Sequence, residues 1–376
     1  MKAKRAIKQK QRQASEPALP RLSHKKMLQL DRNYERSAQV ADLVYVSDSQ
    51  PGIVRLKKGR GFVYLYQEKP VRKKEIFDRI RRLVIPPAWT GVWICPLDNG
   101  HLQATGYDLR QRKQYRYHAM WSLLRNQTKF HRLYEFGKEL PLLRDRLEKD
   151  LASKELTDKK VIATVISLME RTCIRVGNDE YEKLYGSHGL TTMKDKHVEI
   201  NGDNIHFSFI GKKGKAHSIT LRNKRLARIV QHCRDIPGKE LFQYIDEEGR
   251  RHPIDSGMIN NYIKEVTGKD FTSRDFRTWA GTLHMLVALR AIGEAASENQ
   301  LKQNLVKALD EVSLKLGNTR TVCRKYYVHP GLISLYEENN LQKYFARLEK
   351  AETKPGKNEL TAEEELLMEI LQTFHT

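Results

Sequence analysis

Cysteine is scarce in this chain, with four in 376 residues, at positions 95, 173, 233 and 323. They are far apart, with no Cys-x-x-Cys pair and no Cys/His ligand spacing, which speaks against a disulfide framework and a structural zinc site. Four reduced thiols in a cytosolic protein is the expectation. Long apolar runs are also missing. No stretch approaches the roughly 18 residues of a membrane span, and the N-terminus lacks the apolar segment of a signal peptide, so no membrane association is expected. Neither a phosphate-cradling P-loop nor an acidic metal-binding cluster occurs. Acidic residues are in deficit, 46 against 68 Lys and Arg, which leaves a formal charge of +22 and a pI near 9.7.

A surplus of that size argues for a polyanionic partner, though not for any fold. Its distribution matters, because a basic tail on an ordinary domain would give the same total. Residues 1–26 carry nine Lys/Arg and one Glu, a charge of +8. The remaining +14 is spread along the body, with clusters at Arg55–Arg60, Lys69–Lys74, Arg110–Arg116 and Lys212–Lys215. The excess is therefore not confined to a tail.

Hydrophobic content of 39% is low, yet at this length it suffices for two domains with their own cores. Residues 1–26 read as a solvated, disordered basic arm. Residues 27–122 read as a small β-rich domain, with strands at Leu43–Val46, Val54–Lys57, Phe62–Tyr66, Val92–Cys95, Leu102–Ala104 and Gln114–Tyr117, and a helix over Lys73–Leu83 that Pro86 and Pro87 terminate. Residues 123–345 read as mainly helical. Val161–Val176 is a helix stopped by Gly177, and helices are expected at Lys224–Cys233, Asp255–Thr267, Asp275–Ile292 and Glu298–Leu316. A three-stranded insert, His197–Ile200, Ile205–Ile210 and His217–Leu221, turns first at Asn201-Gly202, a strong hairpin signal. Residues 346–376 form a linker and then an acidic amphipathic helix, opened by the capping box Thr361-Ala-Glu-Glu364. That helix is expected to pack on the body or to receive a protein partner. The fold class is α+β.

The chemistry is carried by four segments in a fixed order. Arg175 lies in Cys173-Ile-Arg-Val-Gly-Asn-Asp-Glu-Tyr181, Lys212 in Phe209-Ile-Gly-Lys-Lys-Gly-Lys215, Arg277 in Ser273-Arg-Asp-Phe-Arg-Thr-Trp-Ala-Gly281, and two tyrosines in Leu316-Gly-Asn-Thr-Arg-Thr-Val-Cys-Arg-Lys-Tyr-Tyr-Val-His-Pro330. A phenol, with a pKa near 10, is a poor base but can attack phosphorus where cations lower the cost of charge. Arg, then a hairpin Lys, then Arg-x-x-Arg, then a late Tyr resembles the type IB DNA topoisomerases. The likeness extends to Ile85-Pro-Pro-Ala-Trp89, Val92-Trp-Ile-Cys-Pro96, Ala104-Thr-Gly-Tyr107, Arg112-Lys-Gln-Tyr-Arg-Tyr-His118 and Tyr185-Gly-Ser-His-Gly-Leu-Thr-Thr192. It covers residues 38 to 336 and is best to the compact poxvirus-like and bacterial branch. Each motif alone is weak, but the set in this order is strong.

The resemblance implies that the β-rich domain binds DNA and that the helical domain is catalytic, tyrosine-recombinase-like in fold, the two forming a clamp around duplex DNA. It further implies relaxation of supercoils through a transient 3′-phosphotyrosyl bond, without ATP, metal or other cofactor, by a monomeric, cytoplasmic, nucleoid-associated bacterial enzyme. In the family the nucleophile lies nine residues beyond the His or Asn of the Gly-His/Asn-Thr element, and Asn318 plus nine is Tyr327; Tyr326 is its rival. Arg175 and Arg277 are the expected charge clamps, since a guanidinium bonds two oxygens and keeps its charge. Arg277 is expected in the first turn of its helix, where orphan amides also favour an anion. Lys212 is the expected general acid, with Lys213 and Lys215 as alternatives. Arg274, where poxvirus-like members have Lys and recombinases His, is auxiliary. Asn318 stands where poxvirus and eukaryotic members have His, so it can bond a phosphate oxygen but not trade protons; otherwise it is a helix N-cap. Gln114, Tyr115 and Tyr117 match a DNA-contacting strand, with the two tyrosines on one face. Two rivals remain, a tyrosine recombinase and a non-catalytic nucleic-acid-binding protein of the same fold.

Overall fold

A computed structural model describes residues 22–59, 61–109, 111–348, 356 and 358–374. The basic arm expected over residues 1–26 falls mostly outside the described residues, which begin at 22; its last three residues open a helix. The chain divides into two compact units between Arg132 and Leu133, ten residues beyond the expected boundary.

In the first unit, α1 (His24–Arg32) and α2 (Tyr34–Val40) are joined by Asn33, whose side chain accepts from the amide of Arg36 and caps the second helix. Met27, Leu30, Ala38, Ala41 and Leu43 close on Trp121 and Leu124. Neither helix is legible in the sequence, because each is short. The strand expected at Leu43–Val46 is reduced to one bridge, Val44 to Gly100. The sheet itself runs β1 (Ile53–Lys58), β2 (Gly61–Tyr66) and β3 (Lys69–Pro70), then α3 (Lys74–Arg82), then β4 (Thr90–Ile94), β5 (Leu102–Tyr107) and β6 (Lys113–Tyr117). Its order is β3-β2-β1-β4-β5-β6, antiparallel throughout, with β6 at an edge. Ile80 of α3 covers Ile53, Val92, Ile94 and Ala104 on one face.

A single helix, α4 (Ala119–Leu151), carries the chain across the division, with Pro141 inside it. Trp121 and Leu124 at its start belong to the first core, which is why the boundary falls later than composition suggests. The second unit is built around α5 (Asp158–Thr172), buried on every side from Lys160 to Met169. A helix apolar all round is one that the core encloses. It ends at Cys173, which takes a left-handed φ of 56°, so Arg175 lies past the helix in irregular chain rather than on it. After α6 (Asp179–Tyr185) come β7 (Val198–Asn201), β8 (Asn204–Ile210) and β9 (Ala216–Arg222), an antiparallel sheet in that order. Gly202 sits at φ 59°, as its hairpin turn requires. Then follow α7 (Lys224–Asp235), a small ladder of β10 (Gln243–Ile245) and β11 (Arg251–Pro253), α8 (Ser256–Thr267), α9 (Ser273–Ile292), α10 (Glu298–Leu316), α11 (Arg320–Tyr326), α12 (Pro330–Glu337), α13 (Gln342–Leu348) and α14 (Ala362–Gln372). No helix among the described residues is long and apolar enough to cross a membrane.

The capping box of α14 forms as expected, Thr361 accepting from the Glu364 amide and Glu364 from that of Thr361. Leu366, Leu367, Ile370 and Leu371 are buried in the core of the second unit. The apolar face that could have received a protein partner is thus taken by the chain itself. Glu364, 3% exposed, accepts from Arg144 through both oxygens at 2.9 and 2.8 Å, and from the Trp279 indole at 3.0 Å. Burial alone would raise the Glu364 carboxyl, but Arg144 outweighs it and holds it below the usual carboxylate value. A depressed folded-state pKa stabilises the fold above the unfolded value and loses that contribution as pH falls through the folded one. Glu364→Ala leaves Arg144 with Glu170 as its remaining carboxylate and should cost on the order of 3 kcal/mol in urea unfolding at neutral pH. The gap from wild type should narrow below pH ~4; a neutral-pH loss under about 0.5 kcal/mol would show that the network contributes little.

Candidate active site

Four stretches of the second unit converge, and each is held by a local constraint. Gly189 packs directly on the segment that carries Arg175: a Cβ on Gly189 would lie 2.6 Å from both the Arg175 carbonyl and the Gly177 backbone. Without side chains there, the Leu190 and Thr191 amides donate to the Arg175 and Val176 carbonyls at 2.9 and 2.6 Å and fix that backbone. The motif at residues 185–192 is therefore a clamp on the Arg175 segment.

Helix α9 starts at Ser273, two residues before the expected start, because Thr272 and Asp275 form its capping box. Arg277 is then the fifth helical residue, past the first turn, and it draws nothing from the orphan amides expected to assist it. It is 5% exposed. One Nη donates to the Cys173 carbonyl and the other to that of Leu316, at 2.7 Å, while the guanidinium carbon lies 5.3 Å from the centre of the Tyr327 ring. Gly281 and Thr282, one turn on, seat Tyr327. A Cβ on Gly281 would stand 2.7 Å from the Tyr327 carbonyl. The Thr282 hydroxyl lies 3.1 Å from that carbonyl and accepts from the His329 amide at 3.1 Å.

Tyr327 is the C-cap of α11 and partly buried, whereas Tyr326 is 41% exposed beside it. The helix is capped by Thr319, which accepts from Val322, so Asn318 is not the cap. The Asn318 side chain turns instead to Arg175, and its Oδ1 accepts from Arg175 Nη2 at 2.6 Å. Lys212 opens a single 3₁₀ turn, Lys212–Gly214, between β8 and β9, with Lys213 at φ 65°.

The electrostatics bind these groups together. Burial would raise the Tyr327 phenol, but Arg277 and Arg175, then Arg274, outweigh it and hold it below the usual phenol value. Burial and the charge of Arg277 bring Arg175 down to about 10, against the opposing pull of Tyr327. Lost hydration, then Arg175 and Arg274, also lower Lys212. The residue as a whole is exposed, but lost hydration of its ammonium is the larger cause of the shift and the neighbouring cations the smaller one. Three buried nitrogens here have no hydrogen-bond partner among the described residues: Arg277 Nε, Asn318 Nδ2 and His217 Nε2. Unpaired buried polar atoms are rare in folded proteins and call for an explanation. Cationic and amide donors grouped around a phenol of lowered pKa suit a phosphodiester.

Comparison with known proteins agrees with this chemistry. The profile of the eukaryotic DNA topoisomerase I catalytic core matches residues 112–354, and that of the bacterial DNA topoisomerase IB N-terminal domain matches residues 61–108. The chain is 33% identical over 297 residues to DNA topoisomerase 1B of Acanthamoeba polyphaga mimivirus, covering 77% of this chain and 88% of that protein. It is 25% identical to DNA topoisomerase 1B of vaccinia virus over 244 residues, 62% of this chain and 72% of the relative. The chain belongs to the type IB DNA topoisomerases.

In this topoisomerase Arg175, Lys212, Arg274, Arg277, Asn318 and Tyr327 all fall in the second unit. Gln114, Tyr115 and Tyr117 are on β6 of the first unit. Tyr115 and Tyr117 share a face, their rings 5.9 Å apart and within 7° of parallel, each nearly half exposed. The Gln114 amide donates to Asp108 at 3.1 Å, so this carboxylate already holds one of the side chains expected to contact DNA. His217 is the member that the motifs did not mark. Its signal in the sequence is only the His that follows the basic turn, which is indistinguishable from a strand residue.

Gly281→Ala tests how tightly α9 sets Tyr327. The added methyl must push the Tyr327 backbone away, and a displacement near 1 Å should slow single-turnover cleavage on the order of 10²-fold with DNA affinity unchanged. A wild-type rate would show that α9 does not position Tyr327.

Proposed function

We propose that Tyr327 is the nucleophile of this type IB topoisomerase and that Arg175, Lys212, Arg277 and Asn318 are its catalytic partners. The observation that carries the assignment is the pairing of Arg277 and Arg175 with one phenol, whose pKa they lower against its burial. Tyr327 gives its phenolic proton to water, its oxygen attacks the phosphorus of one strand, a 3′-phosphotyrosyl bond forms and the bond to the 5′-oxygen breaks. Lys212 delivers a proton to that oxygen as it leaves; its lowered pKa suits a general acid. Arg175, Arg277 and Asn318 take the charge that builds on the non-bridging oxygens, a transfer in which positioning and electrostatics dominate. The broken strand swivels, and the 5′-hydroxyl attacks back. Because the phosphotyrosyl bond keeps the phosphodiester's energy, the cycle needs no ATP, and the cationic cluster takes the part that a metal has in other phosphoryl-transfer sites.

Arg274, exposed at the start of α9, assists by binding the backbone of the duplex. Tyr115 and Tyr117 bind phosphates from β6, and Gln114 contributes to the same face. A clamp around the duplex, the recombinase-like fold of the second unit, monomeric action and association with a bacterial nucleoid complete the reading that the resemblance suggests.

Tyr327→Phe should abolish relaxation of supercoiled plasmid in EDTA without ATP while leaving duplex binding nearly intact, since phosphate neutralisation dominates affinity. Tyr326→Phe is the control; an inactive Tyr326 variant beside an active Tyr327 variant would move the nucleophile by one residue. Lys212→Ala should slow cleavage of an ordinary strand by about 10² to 10⁴, yet cleave a strand with a 5′-thiol leaving group at close to the wild-type rate. Equal loss on both substrates would give Lys212 a charge-stabilising role and make Lys213 or Lys215 the acid.

A further inference from the structure

His217, on β9, sits where the lysine turn meets the segment before the nucleophile. Two glycines make its room. A Cβ on Gly211 would lie 2.7 Å from the imidazole Cδ2 and 2.8 Å from Nε2; one on Gly317 would lie 2.3 Å from Cε1 and 3.2 Å from Nε2. The edge of the ring that bears Nε2 is therefore lodged in the seam between Gly211 and Gly317. The next residues along the chain are Lys212 on one side and Asn318 on the other. Phe209, directly across the strand pair, stacks on the imidazole at 5.0 Å and 9° and fixes its plane.

Nε2 is buried and without a partner among the described residues, as are Asn318 Nδ2 and Arg277 Nε. Burial, then Arg175, Lys215 and Arg277, hold His217 below the usual histidine value, so it is neutral at physiological pH and has one N–H to give. Bulk could have been supplied there by Phe or Leu. A nitrogen in a buried seam is costly unless something bonds it.

We infer that His217 is a further catalytic residue, whose Nε2–H donates to a non-bridging oxygen of the scissile phosphate beside Asn318. This rests on the assignment of Tyr327 as nucleophile. Asn318 has no ring nitrogen with which to follow the phosphate, and the imidazole reaches the same oxygens from the neighbouring strand. No proton moves and no bond to His217 forms; the donor only stabilises charge.

His217→Phe keeps the ring and its stack on Phe209 but removes the donor, and His217→Gln keeps a donor on a flexible chain. Single-turnover cleavage of duplexes bearing one scissile methylphosphonate, each isomer lacking a different non-bridging oxygen, gives the readout. On the ordinary phosphodiester, His217→Phe should be slower on the order of 10²-fold, as for loss of one oxyanion donor, and His217→Gln less so. On one isomer the ratio of wild type to His217→Phe should fall close to one, while on the other it persists. A wild-type rate for His217→Phe, or a Gln variant as slow as Phe, overturns the inference. So does the same ratio on both isomers, which would make the ring a spacer. If wild type forms no covalent adduct with the phosphodiester, the reading of Tyr327 falls and this one with it. If wild type forms it and the Phe variant matches its rate, only this one falls.

Discussion

Two guanidiniums held against one phenol dominate this structure. Arg175 and Arg277 repel each other, and each is at least partly removed from water, so their hydrogen bonds must be met by the protein. Those that are met go to neutral oxygens, the Cys173 and Leu316 carbonyls for Arg277 and the Asn318 amide for Arg175, while Arg277 Nε has no partner among the described residues. A carboxylate in those places would have neutralised the pair and left nothing for a substrate. Carbonyl and amide acceptors hold the side chains in place while leaving their charge uncompensated. That charge outweighs burial to lower the Tyr327 phenol, and it adds to burial in lowering the Lys212 ammonium.

Keeping such a cluster requires a backbone that cannot relax away from it. The left-handed turn at Cys173 ends α5 early and aims its carbonyl at Arg277. Gly189 lets the chain close over Arg175, and Gly281 lets α9 lie against the backbone of Tyr327. Behind α9, Trp279 bonds Glu364 of the C-terminal helix, which Arg144 in turn holds. The same helix thus bears Arg277 on the side of the site and a buried ion pair through Trp279. Rigidity of α9 is shared between the candidate site and the fold, and the last helix, outside the matched topoisomerase core, is part of what holds it.

How much of this was legible in the sequence varied with the range of the interaction. Strands of the N-terminal sheet, the Asn201-Gly202 hairpin, the α14 capping box and α10 were readable, because alternation, turn residues and caps act within a few positions. The short helices α1 and α2 and the β10–β11 ladder were not, since each owes its form to a core assembled from distant segments. Two helix limits were misjudged for one reason. Gly177 looked like the stop for α5 and Asp275 like the start of α9, but Cys173 and Thr272 took those roles through contacts that local pattern does not show.

Residue types and their order along the chain by themselves determined the chemistry: a late tyrosine preceded by Arg, a turn Lys and Arg-x-x-Arg, on a strongly basic chain, is enough to name the family's reaction. Tertiary structure alone decided which atoms are held and which are left to act. It took Asn318 from the cap position and paired it with Arg175, it moved Arg277 out of the first turn and onto two carbonyls, and it brought the unmarked His217 between Gly211 and Gly317, which are 106 residues apart. Propensity and motif act along the chain, whereas hydrogen-bond satisfaction and charge are settled only when segments meet in space.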